Sequence, residues 1–296
     1  MAGAFANRLT HVVYGIAPDH VTEAVEFWRS LGAGFEQFER PEYGLSIYFD
    51  WDRGVEIITP TGPGKPADRL RTFLEQHGEG VFTVDFGVED LQAAMAKLAD
   101  FGLSTRAVPQ TMTGEEPWFH RFTTLSEARV LDRDDLRLML AHVVPREDDL
   151  RLPRVSHVGF GVRGEHLSQV RQFWESNFGL EFEEPITLDP GLKVLYAPAG
   201  GIELIVATDA RAPHVIAVPL ARCGEGPFVT ALAVEDLDVA LAAIDVEPLS
   251  LLSYTGHPNW VDRYERLEQA ILPEVHGMRV ALNEQKRRPG ALTPSQ

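Results

Sequence analysis

Two histidines and two glutamates in this 296-residue chain recur at nearly one spacing, and both are residue types that move protons. His11 stands in Thr10–Trp28, THVVYGIAPDHVTEAVEFW. His157 stands 146 positions on, in the near twin Ser156–Trp174, SHVGFGVRGEHLSQVRQFW. Glu56 in VEII and Glu203 in IELI lie 147 apart. An imidazole beside a carboxylate is a general acid–base pair. Both acids interrupt apolar runs, and burying a carboxylate without a partner costs several kcal/mol. Each is therefore expected to face a polar cavity, an arginine or an ion. The competing reading for each histidine is a strand residue satisfied by a nearby carbonyl or carboxylate.

A second repeated stretch sets Thr113–Phe122, TGEEPWFHRF, against Thr255–Tyr264, TGHPNWVDRY. Trp118 then matches Trp260 and Arg121 matches Arg263, each 142 apart. With Tyr264 beside them, such aromatic and guanidinium pairs could stack a flat ligand and fix its carboxylate or phenolate. Core tryptophans with arginines paired to surface acids are the alternative. His120 and Asp262 hold equivalent places but differ, so two unlike pockets are expected. His20 and His166, in PDH and GEH, read as helix-capping or surface residues. Gly62–Lys65, GPGK, lacks the spacing of a phosphate loop and reads as a turn, with Pro66 set against a helix starting there. Cys223 is the single cysteine, which excludes an internal disulfide and a cysteine-rich metal cluster.

Stepping along the first copy, the Val-rich run Leu9–Ile16 predicts a strand, and Val21, Val25, Phe27, Trp28 and Leu31 fall at helical spacing before Gly32. Extended runs follow at Phe35–Phe38, Leu45–Phe49 and Val55–Thr59, giving a βαβββ unit. Val81–Val88, Leu91–Phe101, Thr105–Val108, Phe119–Leu125 and Leu136–Val143 repeat the plan. The second half starts its own units at Val155 and Phe228, where GEGPFVTALAVEDL answers GEGVFTVDFGVEDL. The expected organisation is a first domain over 1–146, with units about 9–60 and 80–144, and a linker over 147–153 within PREDDLRLP. A second domain over 154–285, with units about 155–208 and 227–284, precedes a flexible tail over 286–296.

Four such units carrying HVVYGI, FWRSLG, VEIITP and GEGVFTVDFGVEDL in order, with matching segments in the second half, resemble the vicinal oxygen chelate superfamily. That superfamily includes glyoxalase, bleomycin-resistance and extradiol-dioxygenase proteins. The resemblance implies an α+β fold of two glyoxalase-like domains whose curled mixed sheets enclose cavities. It also implies donors: His11 and Glu56 from the first unit, His157 and Glu203 from the third. Against the family pattern HIAFxVDDL, the second and fourth units place Thr83 and Val229 where histidine belongs. Their last strands place Met139 and Ala281 where glutamate belongs. Pairing one unit with its neighbour, or one with four and two with three, leaves one histidine and one glutamate per cavity. Val229 and Ala281 contradict the dioxygenase donor pattern.

Two functional readings follow. One is a small-molecule-binding protein with incomplete metal sites, holding an aromatic or polar metabolite. The other is an enzyme, an isomerase, epimerase or glyoxalase-like lyase before a dioxygenase, using its His/Glu pairs as proton shuttles or around a divalent metal. No cofactor is required by the sequence; one taken up would be Zn, Ni, Fe, Mn or Mg. Acidic residues outnumber basic ones 44 to 27, a net charge of -17 that repels phosphate backbones and anionic lipid, so neither nucleic acid nor a membrane is an expected partner. With no signal-peptide pattern, a cytoplasmic monomer or homodimer binding a small molecule is expected.

Overall fold

The computed structural model describes residues 5–108, 122–131, 133, 135–145, 154–189, 192–207, 220–221, 224–244, 246–258 and 260–289. The first repeat gives β1 (Leu9–Gly15), α1 (Val21–Ser30), β2 (Glu36–Arg40), β3 (Leu45–Asp50) and β4 (Val55–Pro60). After α2 (Lys65–His77) the second gives β5 (Gly80–Gly87), α3 (Leu91–Asp100), β6 (Thr105–Ala107), β7 (Phe122–Val130) and β8 (Leu138–Pro145). The third comprises β9 (Val155–Val162), α4 (Leu167–Phe178), β10 (Ile186–Asp189), β11 (Leu192–Ala197) and β12 (Ile202–Ala207). The fourth comprises β13 (Gly226–Val234), α5 (Leu237–Ala243), β14 (Ser250–Ser253), β15 (Tyr264–Ile271) and β16 (Val280–Arg287). The repeated VEDL has a local cause: Asp90 and Asp236 cap α3 and α5, accepting from the backbone N–H of Ala93 and Val239.

Because β1 runs parallel to β4 and antiparallel to β5, units one and two share one eight-stranded sheet, ordered β2-β3-β4-β1-β5-β8-β7-β6. Units three and four build the second, ordered β10-β11-β12-β9-β13-β16-β15-β14. Neighbouring units therefore pair. Alternation along β1 sends Val12 and Tyr14 to one face and His11 and Val13 to the other. The first face joins Val158, Phe160 and two fully buried tryptophans, Trp28 and Trp174, in one core shared by both halves. Tyr14 donates to Thr230 Oγ1 at 2.6 Å and Trp28 Nε1 to Met278 Sδ at 3.2 Å, both across the junction. The opposite faces curl into two separate chambers.

Two expectations are corrected and one is narrowed. Pro66 does not oppose a helix: α2 begins at Lys65 with proline in its first turn, where the missing N–H is not needed. This helix covers one end of the first chamber, seating Leu70 and Phe73 over Gly15, where a Cβ would meet Leu70 Cδ1 at 2.6 Å. Of the two readings of His20 and His166 the surface one holds and the side-chain cap does not: both lie at the surface, paired with Glu79 and Glu225. The last strand runs to Arg287, into the stretch read as tail. The proposed linker lies outside the described residues.

One shared core predicts one cooperative transition. Trp28→Ala should cost about 3–5 kcal/mol in guanidinium unfolding, followed by fluorescence and circular dichroism together. Two separated transitions in the parent protein would contradict a common core.

Candidate functional site

The first chamber gathers side chains from four strands. His11 comes from β1, Glu56 from β4, Asp85 from β5 and Glu127 from β7. His11 Nε2 lies 3.6 Å from Glu56 Oε2 and 3.6 Å from Asp85 Oδ2. His11, Asp85 and Glu127 each offer a donor atom within 4.8 Å of the others. Register accounts for the first contact, His11 facing Asp85 across β1 and β5; the Asp85 row continues through Met139 to Arg129, and Glu127 stands one same-face position along, opposite the small Ala141.

The tautomer of His11 is set by the residue before it. Thr10 Oγ1 donates to the Asp85 carbonyl at 2.9 Å, so at the 3.3 Å contact with His11 Nδ1 the hydroxyl accepts. Nδ1 then carries the proton, and the Nε2 lone pair points at the carboxylates. Burial lowers the His11 pKa to about 4, with Glu127 pushing the other way. Burial raises Asp85 to about 7, a hydrogen bond from Thr83 opposing it. Glu56 is pushed well above the usual carboxylate range by burial, then by Glu127 and Asp85, with Arg40 opposing. A lone pair facing acid oxygens 3.6 Å away is too distant for a hydrogen bond. It suits a shared ion: four donors about 2.1 Å from a metal sit roughly 3.4 Å apart in a tetrahedron.

Aromatic rings wall this centre. Phe49 and Trp51 stand 5.5 and 5.9 Å from the His11 ring, and Trp51 meets Phe122 at 4.5 Å. A cavity of about 360 Å³ lies alongside, lined by Arg69, Phe73, Phe82, Thr83, Arg129 and Arg137 among others. Thr83 links the two, donating to Asp85 Oδ2 at 3.2 Å. Thr83 and Met139 occupy the family's places, but Asp85, two residues beyond Thr83 on the same face, and Glu127, on the strand beside that of Met139, offer carboxylate oxygens that the family pattern does not mark.

The second chamber is built alike and filled differently. Ser156 Oγ donates to the Ala231 carbonyl at 3.1 Å and lies 3.1 Å from His157 Nδ1, repeating the Thr10 device. His157 Nε2 is 3.8 Å from Glu203 Oε2. Here, however, Ala231 faces His157 where Asp85 faces His11, and Gln269 faces Asn283 where Glu127 faces Ala141. Tyr196, Tyr254, Trp260 and Tyr264 close a cavity of about 30 Å³, room for one or two waters. Burial holds His157 near 4 and Glu203 near 7, and raises all three tyrosines.

The ligand-binding candidates divide. Trp260 and Tyr264 line the second chamber, Trp260 donating to Glu183 at 2.6 Å. Arg263 is exposed and pairs with Glu183 instead of entering the chamber, and Asp262 is exposed. Trp118, His120 and Arg121 lie outside the described residues. Sequence reasoning missed Asp85, Glu127, Phe49 and Trp51. The signals were an acid inside the apolar run VFTVDFG, and a hydroxyl residue before each repeated histidine.

Comparison with known proteins supports the architecture. No protein-family model matches the chain, and no curated protein matches its sequence. Among solved structures, a mutant of 4-hydroxymandelate synthase from Streptomyces coelicolor superposes with a TM-score of 0.68 at 18% identity, covering 96% of this chain and 94% of that one. BphC, a halotolerant catechol dioxygenase, gives 0.59 at 11%, covering 99% and 92%. The 2,2',3-trihydroxybiphenyl 1,2-dioxygenase of Sphingomonas wittichii gives 0.59 at 14%, covering 95% and 91%. The chain thus has the tandem vicinal oxygen chelate fold, α+β, with two curled eight-stranded mixed sheets.

The cost of keeping these acids together is measurable. Metal-free, folded Asp85 holds its proton up to about 7 while the unfolded group releases it near 3.8, so the folded state loses stability as pH rises through that window. His11 opposes this only below the ordinary imidazole value of 6.5. Asp85→Asn should therefore raise the stability of chelator-treated protein at pH 8 by up to about 4 kcal/mol in denaturant titrations. No gain, or a loss, would show that Asp85 is already compensated.

Proposed function

We propose that this protein is a metal-dependent enzyme acting on a small oxygen-bearing aromatic compound in its first chamber. The observation that carries the reading is the convergence of His11, Asp85 and Glu127 within 4.8 Å, with Glu56 beside His11. One imidazole with several carboxylates is a hard donor set, which favours Mn or Fe among the divalent ions. His11, Asp85 and Glu127 would hold the ion, which supplies a Lewis acid for a substrate oxygen.

Glu56 is placed for a proton. Burial and the neighbouring acids raise its proton affinity, and a carboxyl beside the centre can exchange a proton with a carbon or oxygen bound there. Phe49, Trp51 and Phe122 exclude water and present ring edges and faces to a flat substrate. The single imidazole departs from the two-histidine, one-carboxylate arrangement of many iron oxygenases. It favours proton transfer, as in an isomerase, epimerase or lyase. The names of the structural neighbours, which include 4-hydroxymandelate and catechol, support an aromatic substrate. In the second chamber Ala231 and Gln269 stand where Asp85 and Glu127 stand in the first, and its described tyrosines and amides, beside Glu203, suit binding of an uncharged polar molecule.

Elemental analysis of untagged protein should find divalent metal, one equivalent of which is lost in Asp85→Asn or Glu127→Gln and retained in His157→Ala. With 4-hydroxymandelate and phenylpyruvate as probes in D2O, the parent should catalyse deuterium exchange. Glu56→Gln should lose about 100-fold or more of that rate while keeping its metal. Absence of metal, or exchange indifferent to Glu56, would refute the reading.

A further inference from the structure

A second group of donors lies between the two halves, away from both chambers. His20 precedes α1, Glu79 precedes β5, and His276 belongs to the turn before β16, so the first half supplies two and the second half one. Their donor atoms all lie within 4.8 Å of one another. Glu79 Oε1 accepts the Ala17 backbone N–H at 2.8 Å, which orients the carboxylate. Its Oε2 stands 3.0 Å from His20 Nδ1 and 3.4 Å from His276 Nδ1. The His276 separation matches the roughly 3.4 Å between ligands of a tetrahedral zinc, while His20 Nδ1, 3.0 Å from both Glu79 oxygens, is hydrogen-bonded to that carboxylate until an ion displaces the proton.

Two further observations point to a ligand. Glu23 Oε2 lies 2.8 Å from His276 Nε2, and a carboxylate there can only accept, so neutral His276 carries its proton on Nε2 and offers the Nδ1 lone pair to the group. A carboxylate on the far nitrogen is the usual support of a metal-bound histidine. The backbone is also constrained: His276 sits at φ +47, and Gly277 follows at φ +71 in the bridge joining Val275 and Met278. A Cβ on Gly277 would meet the Glu79 carbonyl at 1.9 Å, so glycine is what lets this turn press His276 onto Glu79. The rings of His20 and His276 stack at 4.2 Å with 16° between their planes, so taking up an ion would turn the exposed His20 ring until its lone pair meets that of His276.

We propose that His20, Glu79 and His276 bind a divalent transition metal of the zinc type, which staples the start of the first half to the last unit of the second. Water completes the coordination from the His20 side, where that residue is exposed to solvent. The site is independent of the first chamber.

The test uses the full chain, untagged and chelator-treated, carrying His11→Ala and Glu127→Gln so that the first chamber is disabled. Titration with Zn2+ by calorimetry should find one equivalent bound and a rise in melting temperature. Adding His276→Asn should abolish both. Asparagine tolerates the left-handed backbone, so this change removes the donor and spares the turn. His20→Ala should act likewise, with circular dichroism confirming that each variant is folded. A double variant that takes up no zinc, or zinc binding unaltered by both substitutions, would overturn the proposal.

Discussion

Asp85, 1% exposed, holds its carboxyl 3.6 Å from an imidazole nitrogen whose lone pair faces it, with Glu56 and Glu127 close by. Two devices keep this arrangement from relaxing. Thr10, locked onto the Asp85 carbonyl, forbids His11 from turning its N–H toward the acids. The β1–β5 pairing forbids Asp85 from leaving the chamber face. A proton or a cation among these groups relieves their crowding, and burial by itself keeps a proton on Asp85 up to about 7.

The back-to-back core makes such a cluster tolerable. Trp28 and Trp174 fill the space between sheets, and the cross-junction bonds of Tyr14 and Trp28 tie the halves into one body. The chamber strands are thereby fixed from behind, so the acids do not splay apart under their own repulsion. The same duplication leaves the second chamber free to change. There Ala231 and Gln269 replace two charges with none, and a pocket of tyrosines and amides remains on an unchanged frame.

Much of this was legible in the sequence. The alternation of HVVYGI, the helical spacing through Trp28 and the long offset between repeats carry the fold, because each reflects burial on one face of a strand or helix. His11 and Glu56, and His157 and Glu203, were found by their repeated placement, and the structure brings each pair to within 4 Å. Asp85 and Glu127 were missed because attention fell on the family's places, Thr83 and Met139. A one-face displacement along a strand preserves direction and changes residue number, which spacing alone does not reveal. The cover helix was missed at Pro66, where a residue that breaks helix interiors begins one. His276 was invisible for another reason: its partners lie some 200 or more positions away, and only the packing of the halves brings them together.

The central claim is that the first chamber exists to hold a cation and the second does not. Crystals grown with Mn2+ and measured at a wavelength where manganese scatters anomalously test it directly. A strong peak between His11 Nε2, Asp85 and Glu127, with nothing between His157 and Glu203, is the predicted result. A peak in the second chamber, or none in the first, would contradict it.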